Sequence, residues 1–207
     1  MIDQYARVVR VGLLVLSFFM AGHLPAADVY VSPAGNDGGG TTWATAYTNL
    51  QAAIDAAAAG STLHVAGVTF TLTSSIDWSK SLTLRGGYEG VDPAPGANDP
   101  TQWPTIFTRA ASVSNRILYV HNLTNATLEK VTIAGGLTYA AGASATPNGG
   151  GGIYLLSVSN FTLLDCIITN NGAEGPSGNS YQVGGGIYAN NSYGTIRNCL
   201  VATNRAK

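Results

Sequence analysis

The chain has 207 residues and a formal net charge of -1, and only 10% of its residues are charged, against roughly 25% in an ordinary globular protein. Its hydrophobic fraction of 45% is enough to fill a core and excludes a disordered chain, while the absence of any Lys or Arg run excludes nucleic acid as a partner. Twenty-six glycines imply many tight turns.

Residues 1–27 carry Arg7 and Arg10, an apolar run over 11–21, and the small residues Ala26 and Ala27 after Pro25. This is the pattern of a removable export signal. The run stops at Gly22 and His23, short of the roughly 20 apolar residues that span a bilayer, so the segment is not an integral membrane anchor. No cysteine lies nearby for lipid attachment, and the expected product is secreted or held at the cell surface.

Residues 28–60 form the next unit. Val29-Tyr30-Val31 reads as a short strand, and the Pro, Gly, Asn and Asp residues over 32–40 read as a loop. Thr48 is the expected N-cap of a helix over 49–59, with Leu50, Ile54 and Ala57 or Ala58 at helical spacing and Gly60 as its stop. Its narrow, alanine-rich apolar face suits a helix that caps the end of something flat.

Over 61–207 the period changes to two. Leu63 and Val65, then Val68, Phe70 and Leu72, then Leu82 and Leu84 alternate with polar residues, as strands with one buried face do. Gly86, Gly87 and the prolines at 93, 95, 100 and 104 break the pattern into a long surface loop. Alternation resumes over 117–120 and 127–133.

From there the chain repeats itself. Leu128-Glu129-Lys130-Val131-Thr132-Ile133 aligns with Leu163-Leu164-Asp165-Cys166-Ile167-Ile168 and with Ile196-Arg197-Asn198-Cys199-Leu200-Val201, at offsets of 35 and 33 residues. Gly151-Gly152-Ile153-Tyr154 returns as Gly185-Gly186-Ile187-Tyr188, and Asn171 returns as Asn204. Such a unit is too short to bury its own apolar side, so it must stack on its neighbours with like residues above like. Glycine at the corner before each Ile-Tyr permits positive φ, and Asn at the recurring corner tolerates the left-handed region while its amide bonds along the stack. The extra length of each repeat, 137–148 and 173–182, is expected to project on one side as loops that carry any binding surface.

The expected fold is therefore all-β: a right-handed parallel β-helix, or solenoid, with a short N-terminal capping helix. The chain stops at Lys207 just after a strand and an Asn corner, so further C-terminal coils are expected.

Four stretches carry a family resemblance: Val29-Tyr30-Val31-Ser32-Pro33-Ala34-Gly35-Asn36-Asp37, the segment 43–57, Ser81-Leu82-Thr83-Leu84-Arg85-Gly86-Gly87-Tyr88, and the paired Gly-Gly-Ile-Tyr units. With these the chain resembles the pectin-lyase-like and polymorphic outer-membrane-protein β-helices of bacterial surface and secreted proteins. It departs from the second group's tetrapeptides, having Gly-Gly-Gly-Ile and Ile168-x-x-Asn171 in place of Gly-Gly-Ala-Ile and Phe-x-x-Asn. The resemblance implies either a surface contact role or a lyase or hydrolase acting on polysaccharide.

Lyases of that resemblance hold calcium on clustered carboxylates beside an Arg or Lys base. Here the acids are scattered with no calcium-loop spacing, and no metal or cofactor is implied. The columns of the repeat place Lys130, Asp165 and Asn198 in one ladder and Glu129 and Arg197 in the next. Lys130, Asp165 and Arg197 are thus the candidate catalytic residues, and an exposed salt-bridge ladder is the plainer reading. Glu129 and Asp165 suit glycoside hydrolysis poorly, because a neighbouring cation favours the ionised form over the acid that such chemistry needs.

Neither His64, expected to point outward, nor His121, expected at a strand end, has a Cys or acid at metal-ligand spacing. Cys166 and Cys199 share a column, and strand spacing there exceeds what a disulfide wants, so stacked free thiols are expected. The glycine run at 149–152 lacks the Gly-Lys-Ser/Thr of a phosphate cradle and is read as a structural corner. Trp43, Trp78, Trp103, Tyr139 and Tyr181 are the aromatics that would stack on sugars if exposed. Sequons at Asn122, Asn125, Asn160 and Asn190 are expected by chance in so Asn- and Thr-rich a chain. The expected function is a non-catalytic adhesion, matrix or glycan contact, with polysaccharide cleavage as the alternative.

Overall fold

The computed structural model describes residues 25–139, 148–175 and 182–207. Residues 1–24 of the expected signal, and residues 140–147 and 176–181 of the two expected loops, lie outside the described residues.

In chain order, β1 (Asp28–Val31) leads through a loop to α1 (Leu50–Ala56). A first circuit follows in β2 (Thr62–Ala66), β3 (Thr69–Leu72) and β4 (Ile76–Trp78), and a second opens with β5 (Thr83–Tyr88) and β6 (Thr105–Arg109). Next come the long β7 (Leu118–Glu129), β8 (Val131–Ala134), β9 (Leu137–Tyr139) and β10 (Asn148–Gly149). They are repeated by β11 (Ile153–Leu164), β12 (Ile167–Thr169), β13 (Gly172–Glu174) and β14 (Gln182–Val183). The last described coil holds β15 (Ile187–Asn190), β16 (Gly194–Arg197), β17 (Leu200–Ala202) and β18 (Arg205–Ala206).

These strands stack into a long sheet running β1-β2-β5-β7-β11-β15, with β16 also on β11 and β4 on β7, and a second sheet running β3-β6-β8-β12-β17. A three-stranded sheet (β9-β13-β18) and a two-stranded one (β10-β14) complete the circuit. Every strand pairing is parallel. Among the described residues the fold is thus a parallel β-solenoid with one short helix, as the alternation and repeat imply.

Register carries the expected columns. Val29, Leu63, Leu84, Leu128, Leu163 and Ile196 lie one above the other in the long sheet. Phe70, Phe107, Ile133, Ile168 and Val201 do so in the second. Both columns point inward, and Leu63, Leu128, Phe107, Ile133 and Ile168 are fully buried. On the last described coil the column members Ile196 and Val201 are exposed.

Corners are set by backbone conformation. Lys130, Asp165 and Asn198 occupy equivalent positions with φ of 55°, 54° and 51°, and Asn170 and Thr203 form a second such pair, each at 54°. The left-handed corner is therefore one residue ahead of Asn171 and Asn204, which corrects the expectation that those two adopt it. Glycine roles divide in the same way. Gly150 and Gly184 have positive φ, whereas Gly151 and Gly185 are needed because a Cβ would lie 2.2 Å from the Gly172 carbonyl oxygen and 1.9 Å from that of Arg205.

The helix is shorter than its pattern suggests, and its cap differs. Asn49 Oδ1 accepts from the Ala52 N–H at 3.0 Å, while the Thr48 hydroxyl turns away to donate to Asp37 Oδ2 at 2.9 Å. Leu50, Ala53 and Ile54 join the core at the end of the stack. Lys80 Nζ donates to the carbonyls of Ile54, Asp55 and Ala57 at the far end of the helix. Two further strand assignments change: β5 runs through Gly86 and Gly87 to Tyr88, and Val68 is exposed on a turn where the alternation suggested burial.

Candidate functional site

Along β7 and β11 the apolar residues Leu118, Val120, Ile153 and Leu155 turn inward, so the residues between them must face out. Register then sets Tyr119, Tyr154 and Tyr188 side by side on the outer face of the long sheet. Their ring centroids are 5.4 Å and 5.2 Å apart, with interplanar angles of 39° and 32°. All three are half-buried, each ring lying partly over the next.

Arg116, just ahead of β7, lays its guanidinium against this ladder, 4.7 Å from the Tyr154 centroid and 5.6 Å from that of Tyr119. Burial pulls its pKa below the ordinary arginine value, with Tyr154 and Tyr119 acting in the opposite direction. Burial, with Tyr154 alongside, raises the pKa of Tyr119.

His121 extends the stack at its other end, 4.4 Å from Tyr119 and 20° from parallel. Its Nε2 lies 2.6 Å from Asp77 Oδ1, and Asn122 Nδ2 lies 3.1 Å from its Nδ1. The Asn122 amide nitrogen can only donate, so Nδ1 accepts from it and Nε2 donates to Asp77. Asp77 is fixed in turn by β4, which pairs it with Tyr119, and by Gln51, whose Oε1 accepts the Asp77 N–H at 2.8 Å. The capping helix thus braces the edge of the aromatic face.

The residues singled out for catalysis adjoin through their main chains, with the Asp165 N–H donating to the Arg197 carbonyl at 3.1 Å, but among the described residues no ion pair joins their side chains. Lys130 Nζ donates to Asn98 Oδ1 at 2.6 Å, and Glu129 Oε2 accepts from Arg85 Nε at 2.7 Å. In the long sheet Leu164 lies between Glu129 and Arg197, so those two are about 10 Å apart along the stack. Asp165 has no ion pair among the described residues. The expected Lys130–Asp165 salt-bridge ladder is absent from the described residues, because the shared left-handed corner, not attraction between side chains, sets that column.

Both described histidines have acid partners that spacing did not reveal. His64 is buried, stacked on Tyr30 at 5.0 Å and edge-on to Tyr88 at 4.9 Å, with Nε2 2.9 Å from Asp28 Oδ1. It faces outward as expected but lies under the loops. No group of three or more His, Cys, Asp or Glu side chains converges among the described residues. Cys166 and Cys199 are free thiols stacked one coil apart: Cys166 N–H donates to Cys199 Sγ at 3.4 Å, and burial pushes the Cys166 thiol up to about 12.

Of the aromatics named as sugar stackers, Trp43 and Trp78 are buried, Trp103 is half-buried, Tyr139 is exposed, and Tyr181 lies outside the described residues. The Tyr119–Tyr154–Tyr188 ladder is not among them, although the repeated Ile153-Tyr154 and Ile187-Tyr188 pairs carry its signal in the sequence.

Residues 109–207 match the family described as "Right handed beta helix region". The chain is 44% identical over 63 residues to "Pectate lyase PEL9" of Emericella nidulans, a stretch covering 30% of this chain and 15% of that protein. No solved structure matches the chain. The fold is a right-handed parallel β-helix of the pectin-lyase-like type. Among the described residues no helix is long and apolar enough to cross a membrane.

Proposed function

We propose that this chain is an extracellular β-helix, exported by the signal in residues 1–27, that holds a polysaccharide on the outer face of its long sheet without cleaving it. The observation that carries the reading is the stack of Tyr119, Tyr154 and Tyr188, three amphipathic rings in register along the helix axis. Such rings offer large, stiff contact area to the apolar faces of sugars at little conformational cost. The 63-residue likeness to a protein named a pectate lyase supports polysaccharide contact and an extracellular location.

Asp77, the carboxylate beside this face, is already engaged by His121, which supports binding over turnover. Titration of the protein with oligosaccharides of galacturonate and of glucose, followed by calorimetry, tests the reading. Tyr154→Ala is expected to weaken binding tenfold or more, and equal affinity in the variant overturns the assignment of the face.

The same likeness favours one alternative, cleavage of a polyuronide with Lys130, Asp165 or Arg197 taking part. Unsaturated, ultraviolet-absorbing products that vanish on Asp165→Asn or Arg197→Gln would establish it in place of simple binding.

A further inference from the structure

Arg116 has an unusual position for a cation. Its neighbour Ile117 is fully buried and anchors the start of β7, which holds the Arg116 side chain against the tyrosine ladder. A guanidinium carries five N–H donors in a planar fork. Among the described residues, none of them reaches a carboxylate, carbonyl or hydroxyl, and no acid forms an ion pair with it. The other described arginines with a comparable degree of cover have polar partners: Arg85 bonds Glu129, and Arg109 bonds the carbonyls of Gly135, Ala110 and Val113. Among the described residues, Arg116 alone of these three has aromatic rings in place of a polar partner.

Two ring faces remove water from one side of the guanidinium without replacing the lost hydrogen bonds. A partly desolvated charge in that state gains most from an anion that meets its free N–H edge. A guanidinium lying on an aromatic face keeps that edge available for a planar, bidentate partner. The nearby acid Asp77 does not compete, because it is held by His121. Burial has already lowered its pKa, in keeping with a cation short of partners.

We propose that Arg116 is the specificity-determining residue of this face, pairing with an anionic substituent, carboxylate or sulfate, of a sugar whose ring lies against Tyr154. This rests on the polysaccharide reading above and adds the charge of the ligand to it. The glycan runs along the tyrosine ladder, across successive coils, and its acidic group meets the guanidinium where β7 and β11 adjoin.

The test measures binding of galacturonate oligomers, their methyl esters, and dextran with and without sulfate, to the full chain and to Arg116→Gln and Tyr154→Ala. Unchanged circular dichroism and urea midpoint verify that the variants fold. Arg116→Gln is expected to weaken the free acid at least tenfold, to leave the ester unchanged, and to flatten the salt dependence. Arg116→Lys restores only part of the loss, because an ammonium has no fork. Tyr154→Ala weakens acid and ester alike.

Whichever of galacturonate and dextran sulfate loses more in Arg116→Gln identifies the anion. Equal loss for acid and ester overturns the proposal and assigns Arg116 a structural part in the stack, while loss for neither removes it from the site. If the parent protein binds none of these glycans, the polysaccharide reading itself fails.

Discussion

Asn204 Oδ1 accepts two hydrogen bonds from Asn171, one from its main-chain N–H and one from its Nδ2, each at 3.0 Å. Asn171 is fully buried, and it also donates from Nδ2 to the Ile133 carbonyl at 3.0 Å and accepts from the Gly136 N–H at 2.9 Å. Each coil's amide thus satisfies main-chain groups of the coil before it. Asn171→Ala leaves those groups buried and unpaired, at about 1–3 kcal/mol each. A loss of about 3 kcal/mol or more in urea unfolding is expected. Asn204→Ala, in a half-buried position, is expected to cost less, and a reversed order refutes the ladder account.

Cys166 supplies a pH dependence. Burial raises its thiol from 9.0 to about 12, so the folded state holds its proton where the unfolded chain has lost it. The folded pKa is the higher one, so this stabilisation is fully present below pH 9 and is lost as pH rises towards about 12. Denaturant melts between pH 8 and 11 should show falling stability that Cys166→Ala or Cys166→Val removes. At pH 8, Cys199 should be alkylated in the folded protein and Cys166 only after unfolding.

Gly151 sits where a methyl group would lie 2.2 Å from the Gly172 carbonyl oxygen and 2.7 Å from that of Gly185, both main-chain atoms of the stack. Neither can withdraw without breaking inter-coil bonds. Gly151→Ala is expected to cost about 3 kcal/mol, at the upper end for overpacking, as read by thermal and urea midpoints. A loss below about 1 kcal/mol indicates a looser corner than the one described.

Asp165 distinguishes a conformational role from a chemical one. At φ of 54° it should tolerate Asn or Gly with little change, because both enter the left-handed region readily, whereas Asp165→Val should lose about 1–2 kcal/mol. Glycan affinity is expected to be the same in all three. A drop in affinity with Asp165→Asn at unchanged stability instead places the carboxylate in the site.

Lys80 closes the exposed end of α1 by donating to three of its last carbonyls. Lys80→Met keeps the apolar stem and removes the charge, with an expected loss of about 1 kcal/mol. Because Gln51 of the same helix holds Asp77, the variant should also speed amide hydrogen exchange around Ile76, Asp77 and Trp78.

The part of the fold legible in the sequence is the part governed by short-range pattern. Leu128, Leu163 and Ile196 recur at nearly constant spacing because their coils have nearly constant length, and stacking demands that like side chains coincide. Earlier coils hide the same column: Leu63 pairs with Leu84 only 21 residues on, and Leu84 with Leu128 a further 44. No fixed period finds those pairs, since the connecting loops differ in length while the strand spacing does not.

Outward contacts were less accessible for the same reason. His121 meets Asp77 across 44 residues, and Arg85 meets Glu129 across 44, whereas the aligned Lys130 and Asp165 form no ion pair. Alternation states which residues face out, but not which of them touch. The amino-acid sequence by itself determined a β-solenoid with an apolar interior, because burial and strand period are properties of each coil. Only the tertiary structure decided that Tyr119, Tyr154, Tyr188 and Arg116 make one surface, because inter-coil register, set by every loop before it, fixes which outward side chains become neighbours.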